Sequence, residues 1–200
     1  MMIVHVLTIV LLWLLLCGCH ESQTAQIPAS ESGVKIAEVP SIELVDLSLP
    51  PVSTFEASCA NCHGPQGSFF GDEFAHLPDA QLGTAVKDMM EGPAFLKPSD
   101  ADLLAMVAYH RALAAKEPFI CVTAFHPPTK EQPGWLQGQA TSGAEVSVKG
   151  NEVASVVASE TGAWQLRGIG SSLPLILTAR KSGKMTTLDL HQSQWSHAAR

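Results

Sequence analysis

Five residues, Cys59-Ala60-Asn61-Cys62-His63, constrain this chain more than any other stretch of it. C-x-x-C-H is the attachment signature of a c-type haem. Two thiols three positions apart can add across the two vinyl groups of a porphyrin and become thioethers. The imidazole of His63 follows at once and takes one axial position on the iron. Covalent attachment keeps the cofactor in place even in a small domain, and a haem held this way usually moves electrons. A structural zinc site would need a second pair of ligands at similar spacing, and the chain has no second C-x-x-C.

Such chemistry needs a compartment outside the cytoplasm. Ile3 to Leu16 is almost wholly apolar, interrupted by His5 and Thr8. It is short for a membrane span and leads into small and polar residues, as in the apolar region of a signal peptide. Met1 to Val10 holds no Lys or Arg, which is unusual for such a segment. Leu16-Cys17-Gly18-Cys19 resembles the lipobox of bacterial lipoproteins. That resemblance implies cleavage after Gly18 and a diacylglycerol on Cys19, and an uncleaved membrane anchor is the other reading. Either places the rest of the chain on the periplasmic side of a bacterial membrane. Of the five cysteines, Cys17 leaves with the signal, Cys19 takes the lipid, and Cys59 and Cys62 take the haem. Cys121 is left as a free, buried or intermolecular thiol.

Net charge is -7 and uneven. Residues 52–116 carry eight acidic against four basic side chains, whereas 121–200 carry seven basic against five acidic. No basic stripe with interleaved aromatics points to nucleic acid. An acidic haem segment suits redox partner proteins with a basic docking patch, and ordinary solubility charge explains it equally well.

The organisation reads as four parts. Residues 1–18 are the lipoprotein signal, and 19–51 an acidic, Ser- and Pro-containing tether whose end, Ser41 to Leu49, alternates like an extended strand. Residues 52–117 read as helical. A first helix runs from Ser53 to Cys62. A second starts at Pro78-Asp79, with Asp79 as its cap, and stops at Gly92-Pro93, with Leu82, Val86, Met89 and Met90 on one face. A third starts at a capping box on Ser99 and runs to about Ala115, with Leu103, Met106, Val107, His110 and Leu113 along one stripe. Residues 118–200 hold short β-branched runs between Gly, Ser and Pro, the texture of a small β-sandwich. The expected fold class is thus multidomain, an all-α haem domain followed by an all-β sandwich.

Cys59-Ala-Asn-Cys-His-Gly-Pro-Gln-Gly, together with the capped late helix bearing Tyr109, resembles the monohaem class I cytochrome c domain over about residues 52–116. The resemblance implies one covalent haem c and a final helix that crosses the first, with its aromatic near the crossing. It also implies a methionine as second axial ligand, which raises the reduction potential. The family commonly places that methionine in a Met-Pro-Ala-Phe loop, and here the loop reads Gly92-Pro93-Ala94-Phe95. Met90 is the nearest candidate, with Met89 and His76 as alternatives. Core packing also accounts for the methionines, and His110 or an empty sixth position completes the set.

Gly134-Trp-Leu-Gln-Gly-Gln-Ala, Gly143-Ala-Glu-Val-Ser-Val and Glu160-Thr-Gly-Ala-Trp164-Gln-Leu resemble the carboxypeptidase regulatory-like or transthyretin-like β-sandwich. That family implies a binding or scaffolding role without catalytic residues. The expected function is electron transfer by a lipid-anchored carrier rather than an enzyme, with the β part as docking module. The alternative is a haem sensor or small-gas binder with an open sixth position. A peroxidase-like enzyme would need distal acid–base groups or a second haem.

Overall fold

Helix starts and stops follow from local chemistry. In the computed structural model, which describes residues 43–149, 151–170 and 175–198, α1 spans Pro51–Ser58 and α2 spans Ala60–His63. The anticipated first helix is therefore broken at Cys59, which ends α1 and begins α2. Helix α3 spans Asp79–Glu91. Its cap is Pro78, with no capping side chain, and Asp79 is the first helical residue rather than the cap. An acid there favours the positive end of the helix dipole. Helix α4 spans Asp100–Ala115 and begins with the full capping box: Asp102 N donates to Ser99 Oγ (3.2 Å) and Ser99 N donates to Asp102 Oδ2 (3.0 Å). Single turns of tighter helix, Pro65–Gly67 and Asp72–His76, connect α2 to α3.

Seven strands follow: β1 Ile120–His126, β2 Gly134–Ala140, β3 Glu145–Val148, β4 Asn151–Val157, β5 Ala163–Ile169, β6 Ile176–Lys181 and β7 Lys184–Asp189. They form two antiparallel sheets, ordered β1-β2-β5 and β4-β3-β6-β7. One apolar core lies between them, with Ile120, Val122, Leu136 and Leu166 from the first sheet and Val146, Leu177 and Leu188 from the second. A second core holds Val52 and Phe55 of α1, Leu82, Val86 and Met90 of α3, and Met106 and Tyr109 of α4.

Phe119 and Cys121 belong to that second, helical core, whereas Ile120 and Val122 belong to the sheet core. Alternate side chains of a strand point to opposite faces, so β1 is covered on both. The expectation of an all-α domain followed by a separate all-β domain is overturned here. The protein is a mixed α and β structure in which the helices pack on the outer face of the three-stranded sheet, and all described residues lie in one compact unit, Val39–Arg200.

The join is polar as well as apolar. Gln139 on β2 is buried, and its Oε1 accepts from Val52 N (2.9 Å) and Ser53 N (3.2 Å). Its Nε2 donates to Ser53 Oγ (2.8 Å). First-turn N–H groups of a helix lack partners inside the helix, and a β-strand glutamine supplies one for α1. Gly162, at φ 81°, lies so close to the same helix that a Cβ would sit 2.6 Å from Val52 Cγ1.

The end of the tether packs on this unit. Leu47 is buried, Val45 N donates to Gln194 Oε1 (2.8 Å), and Leu49 N donates to Asp102 Oδ1 (2.9 Å). The signal segment, Cys17, Cys19 and the tether up to residue 42 lie outside the described residues.

Candidate functional site

Cys59, Cys62 and His63 occupy one helical turn. Cys62 N and His63 N both donate to Cys59 O, at 3.1 and 3.0 Å, and Cys59 N donates to Phe55 O at 2.8 Å. The turn ends at Gly64, whose φ of 76° suits glycine and whose Cβ would fall 2.2 Å from Ser68 Oγ. Glu56 accepts from Gln66 N at 2.8 Å and folds the following loop back on α1. Both cysteines are free thiols, Cys59 half-buried and Cys62 exposed. Burial first, then the neighbouring Cys62, raises the pKa of Cys59, so its sulfur stays a thiol at neutral pH.

Ser58, Cys59, Cys62 and His63 form one wall of a cleft of about 120 Å³. The same cleft is lined by residues of α3 and the loop after it: Val86, Met89, Met90, Pro93 and Ala94. On α3, Leu82, Val86 and Met90 recur every fourth residue and are buried, so the helical period that packs this helix also delivers Met90 to the cleft. Met89, one position earlier, is half-buried and lines the same cleft. The loop is tied to the end of α3 by Leu96 N donating to Met90 O (2.8 Å) and Ala94 N to Met89 O (3.2 Å).

His76 is elsewhere. It is exposed at the end of the Asp72–His76 turn and does not line the cleft. Arg111 accounts for that position. Its guanidinium pairs with Asp79 Oδ1 at 2.7 Å and donates to Phe74 O, Ala75 O and Leu77 O, holding the turn against the outer side of α4.

His110 does reach the cleft. Its Nδ1 donates to Met106 O at 2.8 Å. Burial is the main cause that pulls its pKa down to about 4, and the charge of His63 adds to it, so the ring is neutral. Phe70 contacts the rings of both His63 (5.0 Å) and His110 (5.3 Å), and Phe55 meets Tyr109 edge to face at 5.5 Å where α1 and α4 touch. The sequence reading did not single out Phe55 or Phe70. Phe69 and Phe70 are indistinguishable in sequence, yet Phe69 is 73 % exposed while Phe70 packs on His63.

Two thiols one turn apart, an imidazole beside them and two methionine thioethers line one mostly apolar cleft, the donor types that a covalently held haem would need. Among the described residues no three His, Cys, Asp or Glu side chains converge as they would around a chelated ion, and no helix is long and apolar enough to cross a membrane. Comparison of the chain with protein-family models, with curated proteins and with solved structures gave no match. The site's own chemistry therefore carries the functional argument.

Proposed function

We propose that Cys59 and Cys62 hold one haem c through thioether bonds, with His63 as an axial ligand, and that the protein is a one-electron carrier. The observation that carries this reading is the meeting of Cys59, Cys62 and His63 with Met89 and Met90 in one apolar cleft. The haem would supply an iron that cycles between the ferrous and ferric states. The chain's residues do the rest. Cys59 and Cys62 fix position, and Phe55 and Phe70 restrict the His63 ring by packing. Val86, Pro93 and Ala94 give the cleft part of its apolar lining. Met90 is the proposed second ligand and Met89 its alternative, because both side chains line the same cleft as His63. The proposal includes export and lipid anchoring through Cys19 on the periplasmic side of a bacterial membrane, supported by the apolar leader and the Leu16-Cys17-Gly18-Cys19 motif. Partners would be redox proteins that meet the acidic segment around the cleft.

The test is expression in a host that matures c-type cytochromes, followed by intact mass and optical spectra. The expected result is one covalent haem per chain, lost when Cys59 and Cys62 are both replaced by Ser. Met90→Ala should then change the ferric spectrum, removing the weak far-red band of methionine ligation. Absence of covalent haem in the unaltered chain overturns the reading. Rapid carbon monoxide binding by the reduced protein at neutral pH would replace the closed carrier with the gas-binding alternative.

A further inference from the structure

A second cavity shares no lining residue with the cleft and has the opposite chemistry. It holds about 380 Å³, within the range of small-molecule sites. Lys116, Lys181 and Lys184 line it, together with the apolar side chains of Phe70 and Leu113. In a chain of net charge -7, three ammonium groups around one cavity form a local positive field.

The backbone forces this gathering. Lys181 and Lys184 end β6 and begin β7 and face each other directly in the register. Ser182 (φ 50°) and Gly183 (φ 77°) make the two-residue turn between them. Like charges directly opposite on a sheet repel, and this hairpin points both into one cavity. Lys116, in the left-handed conformation that closes α4 (φ 54°), adds the third charge. Two of the three are held in place: Lys181 Nζ donates to Ser142 O (2.6 Å) and to Gln66 Oε1, and Lys184 Nζ donates to Ala115 O (3.3 Å). These partners are neutral, so neither positive charge is cancelled. Among the described residues, the Lys116 side chain makes no hydrogen bond or ion pair. The one carboxylate on the cavity, Glu117, lies 3.8 Å from His197 Nε2. The carbonyl end of α4 offsets about half a charge, which leaves the cavity positive.

We infer that this cavity binds a small soluble phosphate monoester, its phosphate among Lys116, Lys181 and Lys184 and its organic part against Phe70 and Leu113. Lysine is a point-charge partner for phosphate, and the mixture of ammonium and apolar walls favours an ester over the bare ion. This inference stands apart from the haem reading and uses none of its ligands.

The test is calorimetric titration of the full chain at low ionic strength with phenyl phosphate and with inorganic phosphate. Saturable binding of phenyl phosphate at one site per chain is expected, tighter than that of inorganic phosphate. Lys116→Gln, which removes no described hydrogen bond, should weaken it about tenfold, and Lys184→Gln should weaken it too. Lys97→Gln, an exposed lysine that does not line this cavity, should leave it unchanged. Absence of saturable binding, or equal weakening by Lys97→Gln and Lys116→Gln, overturns the site. Binding to phosphatidylglycerol vesicles without binding to phenyl phosphate overturns the small-molecule assignment.

Discussion

Asp102 ties the end of the tether to the start of α4. It is fully buried, and its carboxylate accepts from Ser48 Oγ (2.7 Å), Leu49 N (2.9 Å), Ser99 N (3.0 Å) and Ser99 Oγ (2.7 Å). Burial works to raise its pKa, but the bonds from Leu49, Ser48 and Ser99 outweigh burial and hold it below the ordinary carboxylate value. A lowered folded-state pKa contributes stability that is present above the unfolded value and disappears as pH falls through the folded one. Asp102→Asn should therefore lower unfolding free energy by about 1–3 kcal/mol at neutral pH, measured by urea denaturation. The variant should also lose part of the acid sensitivity of the unaltered protein below the usual carboxylate range. An unchanged acid profile would show that other carboxylates set it. The capping half of this residue's role was readable from Ser99-Asp100-Ala101-Asp102. The other half was not, because Ser48 and Leu49 lie 54 and 53 residues away and no local pattern links them to α4.

Among the elements, α1 depends most on remote support. Its cap residue is Pro50, which offers no capping side chain, and Gln139 accepts from its first turn instead. Gln139→Leu should cost about 1–3 kcal/mol, because two buried N–H groups lose their acceptor. Gln139→Glu, which keeps an acceptor, should cost less. Gly162→Ala tests the same join from the apolar side. The added methyl would meet Val52 Cγ1 and Ala140 O, each at 2.6 Å, on a left-handed backbone. Its destabilisation, about 1–3 kcal/mol, should appear as a lower thermal midpoint. A midpoint equal to that of the unaltered protein would mean that the helix yields freely. Helices α3 and α4 were legible because their starts, stops and buried stripes are local. The break at Cys59 was not, since the apolar pattern runs through it. Of the site, Cys59, Cys62 and His63 were legible as a motif. The position of Met90 followed from helical periodicity, and the placement of His76 outside the cleft required Arg111, whose grip on the Phe74, Ala75 and Leu77 carbonyls has no sequence signature.

For the whole molecule, the change of texture near residue 118 was real and its meaning was misread. It marks a change from helix to sheet inside one structure, because Phe119 and Cys121 alternate into the helical core while Ile120 and Val122 enter the sheet core. Residue composition shows where strands begin, but a strand buried on both faces can be told from an ordinary core strand only once its neighbours are placed. Two cores joined through β1 predict one unfolding transition. Urea curves followed by tryptophan fluorescence, whose described reporters Trp135, Trp164 and Trp195 all lie after the helices, should coincide with curves followed by far-ultraviolet helix signal. Two separated midpoints would restore independent domains. The Gln139 contact also has a consequence in time. It joins residues 87 apart in the chain, so a chain synthesised amino end first presents Cys59, Cys62 and His63 before the strand that packs beneath α1. During that interval the three side chains stand on an unfinished, open polypeptide. Chemistry on the thiols has its widest access then, and closure of β2 beneath α1 narrows it, leaving Cys59 half-buried and Cys62 exposed.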